Sequence, residues 1–404
     1  MSNYSEKSIY LHQKYRGKME IISKFPLESR EDLSIAYTPG VAAVCEEIAV
    51  DAEAAYRLTM KGNSVAIVSD GSAVLGLGNI GPEAALPVME GKAILFKAFG
   101  NIDGIPLVLN AFDSAEIVAV VKALAPTFGG INLEDIAAPK CFEVEQQLQD
   151  LGIPVFHDDQ HGTAVVLAAA LMNACKVEGR KMQDLRVVIN GAGAAGIAIA
   201  RLLGCAHDGT GGCVPIRNLY VCDSKGIISR DRLDLNFYKR DLLRFTNPDN
   251  RTGSLRHALR GADVFIGVSV GDLLEAKDIG LMAERPIVFA LANPVPEIMP
   301  DIAHRAGAAI VGTGRSDFPN QINNVLAFPG IFRGALDVRA TRITDTMKIA
   351  ASRALANTVL EPASDRILPD PLTGRAIAFQ VGEAVAQAAL LGTAFRKLFQ
   401  PEYA

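Results

Sequence analysis

The stretch LRVVINGAGAAGIAIARLLG, residues 185–204, decides the fold. A short apolar run, VVIN, leads directly into the glycine pattern G-x-G-x-x-G, and IAIARLLG then continues with the composition of a helix. In such a strand, turn and helix, Gly191 permits a tight turn, Gly193 lets the backbone approach a pyrophosphate, and Gly196 lets helix and strand pack closely. The free N–H groups at the start of the helix favour an anion. This stretch therefore predicts a dinucleotide-binding βαβ unit.

The residues around these glycines bear on the choice of cofactor. Ala194 and Ala195 stand at the start of the predicted helix, where backbone N–H groups would meet the cofactor phosphates. Asp223 ends the next strand, YVCD, and can accept hydrogen bonds from an adenosine ribose, which alone favours NAD. Ser224 and Lys225 follow it, and hydroxyl and cationic groups there can hold a 2′-phosphate. We expect NADP, with NAD as the alternative.

The same glycine pattern occurs a second time, as GLGNIG over residues 76–81. No clean strand precedes it, and the next strand ends too late to place an acid against a ribose. We interpret it as a loop that packs near the substrate, with Pro82 beginning a helix.

Strand-like and helix-like runs alternate along most of the chain. Short β-rich runs end at turn residues, and they lie at 64–71, 105–113, 185–193, 219–226, 262–270, 286–294 and 308–317. Helical patterns fall between them, at 163–178, 194–204 and 254–260. Such alternation is typical of parallel sheets covered on both faces, so the fold class is α/β, doubly wound.

The predicted domain boundary lies beside the helical run that follows residue 160. We expect an N-terminal α/β domain for substrate and metal over 1–161, and a Rossmann-type domain for NAD(P) over 162–404. Two late runs, 341–359 and 374–399, carry apolar residues at helical spacing. They would pack against the preceding domain or against a second subunit.

Composition narrows the function classes. The chain has 404 residues, 49% of them hydrophobic and 21% charged, so it can bury a sizeable core. A net charge of -5 argues against nucleic acid or an anionic membrane as partner. The six cysteines form no C-x-x-C pair, and free thiols are expected. The N-terminus lacks the apolar segment of a secretory signal, and no apolar run reaches membrane-spanning length uninterrupted, so a cytoplasmic protein is expected.

Several polar residues in the first half are unusual, but each has an ordinary explanation when taken singly. Tyr37 precedes a Pro-Gly turn in AYTPGVA and could be a core tyrosine. Lys92 lies in the apolar run VMEGKAILF and could extend its ammonium to water. Glu134 and Asp135 are adjacent in INLEDI, where Asn132 could cap a helix that carries both acids.

The segment VFHDDQHGTA, residues 155–164, allows two kinds of metal site. His157 and His161 have the spacing of a helical zinc pair, whereas Asp158 and Asp159 suit a harder cation. A helix is expected to open only at Gly162, so the two histidines would not share one helical face. We therefore assign Asp159 to a metal and leave the histidines in supporting positions.

The combination of these motifs is similar to that of the malic enzymes, in their short bacterial form. The shared motifs occur in order along the chain: SIAYTPGVA, VSDGSAVLGLGNIGPEAALPVMEGKAILFK, INLEDI, VFHDDQHGTA, NGAGAAG and FALANPVPE. The resemblance implies that Tyr37 is the general acid and Lys92 the general base. It also implies three metal ligands with a further catalytic acid, Asp158, beside them; the ligands are Glu134, Asp135 and Asp159.

The resemblance extends to the substrate, with one departure. Asn293, which also falls in the cofactor region, and Asn324 are similar to the family's substrate-contacting asparagines. Longer eukaryotic relatives carry an arginine that grips a malate carboxylate, whereas this chain has Ser72 and Ala73 in that loop. Ser72 and the backbone N–H groups of the glycine loop are the candidates for that contact.

The implied reaction is the oxidation of (S)-malate by NAD(P) with loss of carbon dioxide to give pyruvate. A lysine can accept the C2 hydroxyl proton only if its pKa falls from about 10.4 toward neutrality. Oxygen-only ligands favour Mg²⁺ or Mn²⁺. The alternatives are oxaloacetate decarboxylation, malolactic conversion, a nucleotide-sensing module without catalysis and, last, a zinc hydrolase. By analogy with short relatives we expect a homodimer or a higher homo-oligomer.

Overall fold

The structure, a computed structural model, describes residues 2–392 except Leu75, Phe112, residues 207–212 and Val214. Its strands form two sheets. The first sheet has the order β2-β1-β3-β4 and is wholly parallel, with β1 Ser64–Ser69, β2 Asp103–Val108, β3 Gly130–Leu133 and β4 Val155–His157. The second has the order β10-β9-β8-β5-β6-β7, with β5 Arg186–Asn190, β6 Asn218–Asp223, β7 Gly226–Ile227, β8 Val264–Gly267, β9 Ile287–Ala290 and β10 Ile310–Thr313. Only β7 runs antiparallel to its neighbour among these strands. The prediction of an α/β fold with two parallel sheets is confirmed.

Helices connect and cover the sheets. Those before and within the first sheet are α1 Ser2–Tyr15, α2 Arg30–Ala36, α3 Val41–Val50, α4 Ala55–Leu58, α5 Pro82–Gly100, α6 Ser114–Leu124 and α7 Lys140–Leu148. The central helix and those around the second sheet are α8 Asp158–Glu178, α9 Ala194–Leu203, α10 Phe237–Leu242, α11 Leu255–Leu259, α12 Ala276–Ile279 and α13 Pro300–Arg305. The last three are α14 Phe328–Asp337, α15 Asp345–Asn357 and α16 Gly374–Leu391.

The outcome of the element predictions follows the strength of each pattern. All seven predicted strands have a counterpart, and Pro82 begins α5 as expected. The short strands β3, β4 and β7 lie outside those seven runs, because four, three and two residues carry too little periodicity. Asn132 lies inside β3, so the helix-capping alternative for the neighbouring acids is wrong. Residues 393–399 of the predicted last helix lie outside the described residues.

The register of the first sheet determines where the acidic residues lie. Leu133 of β3 pairs with both Val68 of β1 and His157 of β4, so the three strands end side by side. Because the strands are parallel, the residues that follow them meet at one carboxyl edge. Glu134 therefore lies next to Asp158 in space although 24 positions separate them in sequence.

Helix α5 presents one buried face to this sheet. Ala85, Met89, Lys92 and Phe96 recur at helical spacing and are all buried. The Phe96 ring packs edge-on against Phe328 of α14, with 4.7 Å between ring centroids. Lys92 thus lies in the middle of an apolar face, where a charged group is destabilising unless it is paired.

Helix α8 lies between the sheets, and 14 of its 21 residues are buried. One continuous apolar core includes residues of both sheets and of this helix. The helix begins at Asp158, so the expected opening at Gly162 is wrong by one turn. The β4 strand passes directly into the helix, and the predicted boundary at 161/162 falls within its first turn.

The N-terminal 50 residues pack little against the rest of the chain. No described residue between Tyr4 and Val50 is buried, and many apolar side chains there are exposed. By length and composition alone, the stretch Arg30–Val50 is apolar enough to cross a membrane. It forms two separate helices, α2 and α3, of seven and ten residues. Each is shorter than the roughly 20 helical residues that a bilayer requires.

The expectation of free thiols is wrong for one pair of cysteines. A disulfide joins Cys205, just after α9, to Cys213, which precedes β6. The two Cα atoms lie 6.0 Å apart, a proximity that the sequence spacing does not reveal. The other four cysteines are free, and three of them are buried.

Candidate active site

Three carboxylates converge at the carboxyl edge of the first sheet. Glu134 and Asp135 follow β3, and Asp159 lies in the first turn of α8; one oxygen from each lies within 4.8 Å of the others. The Asp135 backbone N–H donates to Asp159 at 2.8 Å. One buried Asp135 oxygen, Oδ2, has no hydrogen-bond partner. Three converging oxygen donors with an unsatisfied buried oxygen fit a hard dication.

Lys92 reaches this cluster from α5. Its Nζ lies 2.9 Å from Glu134 Oε1 and donates a short hydrogen bond to Asp158 Oδ2, and only 7% of its side chain is exposed. The ammonium also lies 4.1 Å from the centroid of the Phe328 ring. Lys92 is therefore a buried, paired cation, and the alternative in which its ammonium reaches bulk water is wrong.

The negative charge of the four carboxylates exceeds the positive charge of Lys92. Burial and neighbouring carboxylates raise the pKa of Asp135 to about 9, and burial raises the pKa of both Glu134 and Asp158 to about 7. Burial, together with the Asp158 charge, raises the pKa of Asp159 to about 6, although a third of its side chain is exposed. Four carboxylates facing one ammonium repel one another, so this site lacks a positive charge.

The ionisation of Lys92 differs from the sequence-based expectation. Burial lowers its pKa, but the charges of Asp158, Glu134 and Asp159 outweigh that effect and raise the pKa above its ordinary value. The expected fall toward neutrality is thus not met by the protein alone. The physical reason is that the acids of the site surround the amine without a competing cation.

The other residues predicted for substrate chemistry lie in three different settings. Tyr37 ends α2 with 69% of its surface exposed, so the core-tyrosine alternative is wrong. Asn324 lies beside the start of α8, because a Cβ added to Gly162 would be 3.2 Å from Asn324 Cβ and would overlap Asp158. The Ser72 hydroxyl donates to Asp70 at 2.6 Å and accepts from the Ala137 N–H at 2.9 Å, so both its polar roles are used within the chain.

The two histidines occupy supporting positions. His157 ends β4, and its buried Nδ1 lies 3.8 Å from Asp159 Oδ2. His161 lies in α8 with its Nε2 2.9 Å from a carboxylate oxygen of Glu145. Neither belongs to the group of converging ligand atoms, which contains carboxylates only.

The glycines of the second sheet leave room for a cofactor backbone. Gly191 has φ +117°, and a Cβ there would lie 2.5 Å from the Val268 carbonyl oxygen. A Cβ on Gly196 would lie 1.7 Å from the Gly191 carbonyl oxygen, so only glycine fits. Around Gly193, which precedes the first residue of α9, a Cβ would meet no atom within 4 Å. This open space at the start of a ten-residue helix fits a pyrophosphate.

The second glycine pattern, residues 76–81, packs beside Asn293. A Cβ on Gly76 would lie 3.0 Å from the Asn293 carbonyl oxygen, so the second glycine pattern packs against the end of β9. Asn293 therefore lies where the first sheet's glycine loop meets the second sheet's carboxyl edge.

Asp223, at the end of β6, is held by cations that sequence reasoning missed. Arg232 donates to both its oxygens at 2.7 and 3.0 Å, and Lys239 donates at 2.7 Å. Asp234 accepts from Arg232 and forms an ion pair with Lys225 at 2.8 Å. Hydrogen bonds from Arg232 and Lys239 outweigh burial and lower the pKa of Asp223 to about 2. No motif identifies these cations, since they lie on the irregular segment after β7 and on α10.

Two further charged residues were missed beside the first sheet. Lys140 pairs with Asp70, the acid that also holds Ser72. Glu145 accepts hydrogen bonds from the HDDQH segment. Both lie on α7, which was not predicted, although C-F-E-V-E-Q-Q-L has a helical apolar period.

A nucleotide-binding second sheet facing a buried amine and converging acids defines the class of two-domain, nicotinamide-dependent oxidoreductases. Residues 160–390 match the family model of the malic enzyme NAD binding domain. Residues 16–114 and 111–149 match the family model of the malic enzyme N-terminal domain. The chain belongs to the malic enzyme family.

Relatives named as malic enzymes match almost the whole chain. A bifunctional malic/malolactic enzyme of Bacillus subtilis (strain 168) is 54% identical over 98% of this chain and 96% of the relative. An NADP-dependent malic enzyme of Halomonas elongata is 46% identical over 96% of this chain and 93% of the relative. The crystal structure of an NAD-dependent malic enzyme from Thermotoga maritima superposes with a TM-score of 0.89 at 48% identity, covering 94% of this chain and 98% of that one. Relatives of this chain thus use either nicotinamide cofactor.

Proposed function

We propose that this protein oxidises (S)-malate with NAD(P) and decarboxylates the product to pyruvate and carbon dioxide, with a divalent metal. The observation that carries the proposal is the buried Lys92, paired with Glu134 and Asp158 at the edge where three carboxylates converge. A buried amine beside a dication site is suited to take a proton from a hydroxyl that the metal also contacts.

Glu134, Asp135 and Asp159 would hold the metal. Their oxygens converge, and their raised pKa values support this assignment, because an added positive charge would stabilise the ionised carboxylates. Oxygen ligands favour Mg²⁺ or Mn²⁺. When bound, the dication supplies a Lewis acid for the C2 oxygen, and the nicotinamide supplies a hydride acceptor for C2.

Lys92 would accept the proton of the malate C2 hydroxyl. In the protein alone it is held protonated by three carboxylates. A dication held by Glu134 and Asp159 would neutralise two of the three charges that raise the pKa of Lys92. Burial and the positive charge of the dication would both lower that pKa. Asp158 would orient the amine through their short hydrogen bond.

Asn293 and Asn324 would position the substrate between the sheets. Asn324 lies beside Asp158, and Asn293 lies against the glycine loop of the first sheet. The Ser72 hydroxyl is engaged by Asp70 and Ala137, and the Ser72 backbone N–H also donates to Asp70 at 3.1 Å. Backbone N–H groups of the glycine loop that follows would therefore contact the second carboxylate.

Tyr37 would donate a proton at C3 after carbon dioxide leaves. The protein environment does little to assist proton donation by an acid that is exposed to bulk water. For this role, the N-terminal segment that carries Tyr37 must be shielded from solvent. We propose that a second copy of the chain supplies it, since exposed apolar residues line this segment, among them Ile9, Ile21 and Ile35.

The dimer is tested by sedimentation. We expect twice the mass of one chain for the wild type, and a shift toward one chain with loss of malate oxidation for the double variant Ile9→Glu, Ile35→Glu. A fully active single chain would contradict the proposal.

For the cofactor, the three cations near Asp223 support NADP. Lys225, Arg232 and Lys239 face two acids, Asp223 and Asp234, so a 2′-phosphate would meet surplus positive charge. Asp223 is already occupied by two cations and is a weaker partner for a free ribose hydroxyl.

One assay tests the proposed reaction. Purified protein is incubated with L-malate, Mn²⁺ and either NAD or NADP, while reduced cofactor and pyruvate are followed together. Equal amounts of both products are expected, and none without the metal. Lactate without net cofactor reduction would indicate malolactic conversion. This reaction is the second candidate, because the Bacillus subtilis relative is named a bifunctional malic/malolactic enzyme. Cofactor binding with no malate turnover would indicate a nucleotide-sensing module.

A further inference from the structure

One largely buried carboxylate, with 13% of its side chain exposed, holds the segment that carries Asp158 and Asp159. Glu145 lies on α7, and its oxygens accept from the His157 backbone N–H at 3.2 Å, from Gln160 Nε2 at 3.3 Å and from the His161 ring at 2.9 Å. These three donors lie immediately before and after the two acids. Glu145 therefore grips both sides of the junction between β4 and α8 without touching the acids themselves.

Besides the pairing of β4 with β3 and the hydrogen bond from Lys92 to Asp158, the junction has no side-chain cap. His157 is the residue before α8, and its side chain makes no capping hydrogen bond to that helix. A carboxylate near the start of a helix interacts favourably with the helix dipole, as Glu145 does here. Interaction with His161 outweighs burial and lowers the pKa of Glu145 to about 2, so this carboxylate is ionised at neutral pH.

The acids at this junction need such a restraint because they repel one another. Asp158 and Asp159 face Glu134 and Asp135, and the only cation paired with any of these four in the described residues is Lys92. Asp159 accepts one backbone hydrogen bond, from Asp135, while Asp158 Oδ1 has no partner. Without an anchor, repulsion would turn the first turn of α8 away from the cluster.

We propose that Glu145 is a positioning residue, which fixes the β4–α8 junction so that Asp158 meets Lys92 and Asp159 meets the other two metal ligands. The inference rests on the proposed metal-dependent function. Residues of this kind, which orient ligands through hydrogen bonds, change metal affinity about 10- to 100-fold when they are removed.

The test compares Glu145→Ala and Glu145→Gln with the wild type and with Glu143→Gln. Glu143 lies on the same helix and is exposed, and it accepts from Ser114 at 2.9 Å, so its variant controls for loss of a charge on α7. Mn²⁺ affinity of the full chain is measured by electron paramagnetic resonance of the free ion. NADPH affinity and the metal-free melting temperature report on the second sheet and on folding.

We expect Glu145→Ala to weaken Mn²⁺ binding at least about tenfold, with unchanged NADPH binding. Glu145→Gln should lie between it and the wild type, because an amide oxygen still accepts from the His157 N–H but meets donors with its amide nitrogen. Glu143→Gln should match the wild type.

Mn²⁺ affinities within about twofold of the wild type for both Glu145 variants would overturn the inference and leave the proposed function intact. If the alanine variant does not fold, the glutamine variant alone decides by the same criterion. Absence of Mn²⁺ binding by the wild type would overturn both the inference and the proposed metal site.

Discussion

Two charged clusters lie at the carboxyl edges of the two sheets, and they differ in how their charge is balanced. At the first sheet, four carboxylates face the single ammonium of Lys92, and the pKa of each carboxyl is raised. At the second sheet, Asp223 and Asp234 face three cations, and the pKa of Asp223 is lowered to about 2. The same position in a parallel sheet thus supports opposite electrostatics.

The difference indicates what each cluster is suited to bind. A buried group of acids with too little positive charge is destabilised until a cation enters it. A group with surplus cations and satisfied acids is stable alone and can accept an anion. We therefore propose the first cluster as a metal and proton site, and the second as a site for the adenosine end of a dinucleotide.

The largest expected effect is on the amine of the first cluster. Lys92→Ala should lower malate oxidation about 10²- to 10⁴-fold, because the base for the C2 hydroxyl is lost, while NADPH binding is retained. Steady-state rates and NADPH fluorescence titration measure the two effects. Lys97→Ala is the control, since Lys97 lies on the same helix and pairs with Asp103 outside the site. Near-normal turnover by Lys92→Ala would remove it from this role.

Removal of a metal ligand should have the next largest effect. Asp159→Asn should lower metal-dependent turnover at least about a hundredfold, because a Lewis acid supplies several kcal/mol. The metal-free melting temperature should not fall, since a repelling charge has been removed from the cluster. By contrast, Asp223→Asn should lower the metal-free melting temperature, because Arg232 and Lys239 lose their anionic partner. Asp150→Asn, at an exposed position, is the control; retention of Mn²⁺-induced stabilisation by Asp159→Asn would contradict the assignment.

A smaller effect is expected at the second cluster. The double variant Arg232→Gln, Lys239→Gln should raise the KM for NADP about 10- to 100-fold, the size of one or two lost charge-assisted hydrogen bonds, with little change for NAD. Arg244→Gln, which removes an exposed arginine of the same segment, should leave both values unchanged. An equal change for the two cofactors would show that these cations do not select the 2′-phosphate.

The smallest effect is a pH dependence of stability. In the metal-free protein the pKa values of Asp159, Glu134 and Asp158 are about 6, 7 and 7, above the ordinary range near 4. Their contribution to folding is present below about pH 4 and is lost as pH rises through 6 to 7. Asp223, with its pKa about 2, contributes above about pH 4 and loses this on acidification.

The pKa of Asp135 is about 9, so the melting temperature measured with EDTA should fall between about pH 5 and 9. Added Mn²⁺ should reduce that fall. The slope should be shallower for Asp159→Asn. A metal-free protein whose stability rises over this interval would contradict the charge balance assigned to the first cluster.

The sequence predicts the fold and the two clusters' centres because both rest on local patterns. The strand before GAGAAG and the glycines within it predict a βαβ unit directly, and the motifs around Lys92, Glu134 and Asp159 point to one edge of a sheet. The parallel pairing of β1, β3 and β4 aligns the ends of these strands. The acidic residues that follow β3 and β4 therefore meet in space.

What the sequence could not predict depends on contacts between distant segments. Glu145, Arg232 and Lys239 acquire their roles only when α7 and α10 pack beside the strand ends. The first turn of α8 was missed because Gly162 reads as a helix start in isolation, whereas in the structure only glycine fits there, close to Asp158. The exposure of Tyr37 and the disulfide between Cys205 and Cys213 likewise have no local signature.

The central claim is that converging carboxylates at the first sheet hold a hard dication beside Lys92. Crystals of the protein grown with Mn²⁺ and measured near the manganese absorption edge test it most directly. We expect one strong anomalous peak, from a Mn²⁺ ion bound by oxygens of Glu134, Asp135 and Asp159. A peak at other residues, with these three side chains free of metal, would contradict it.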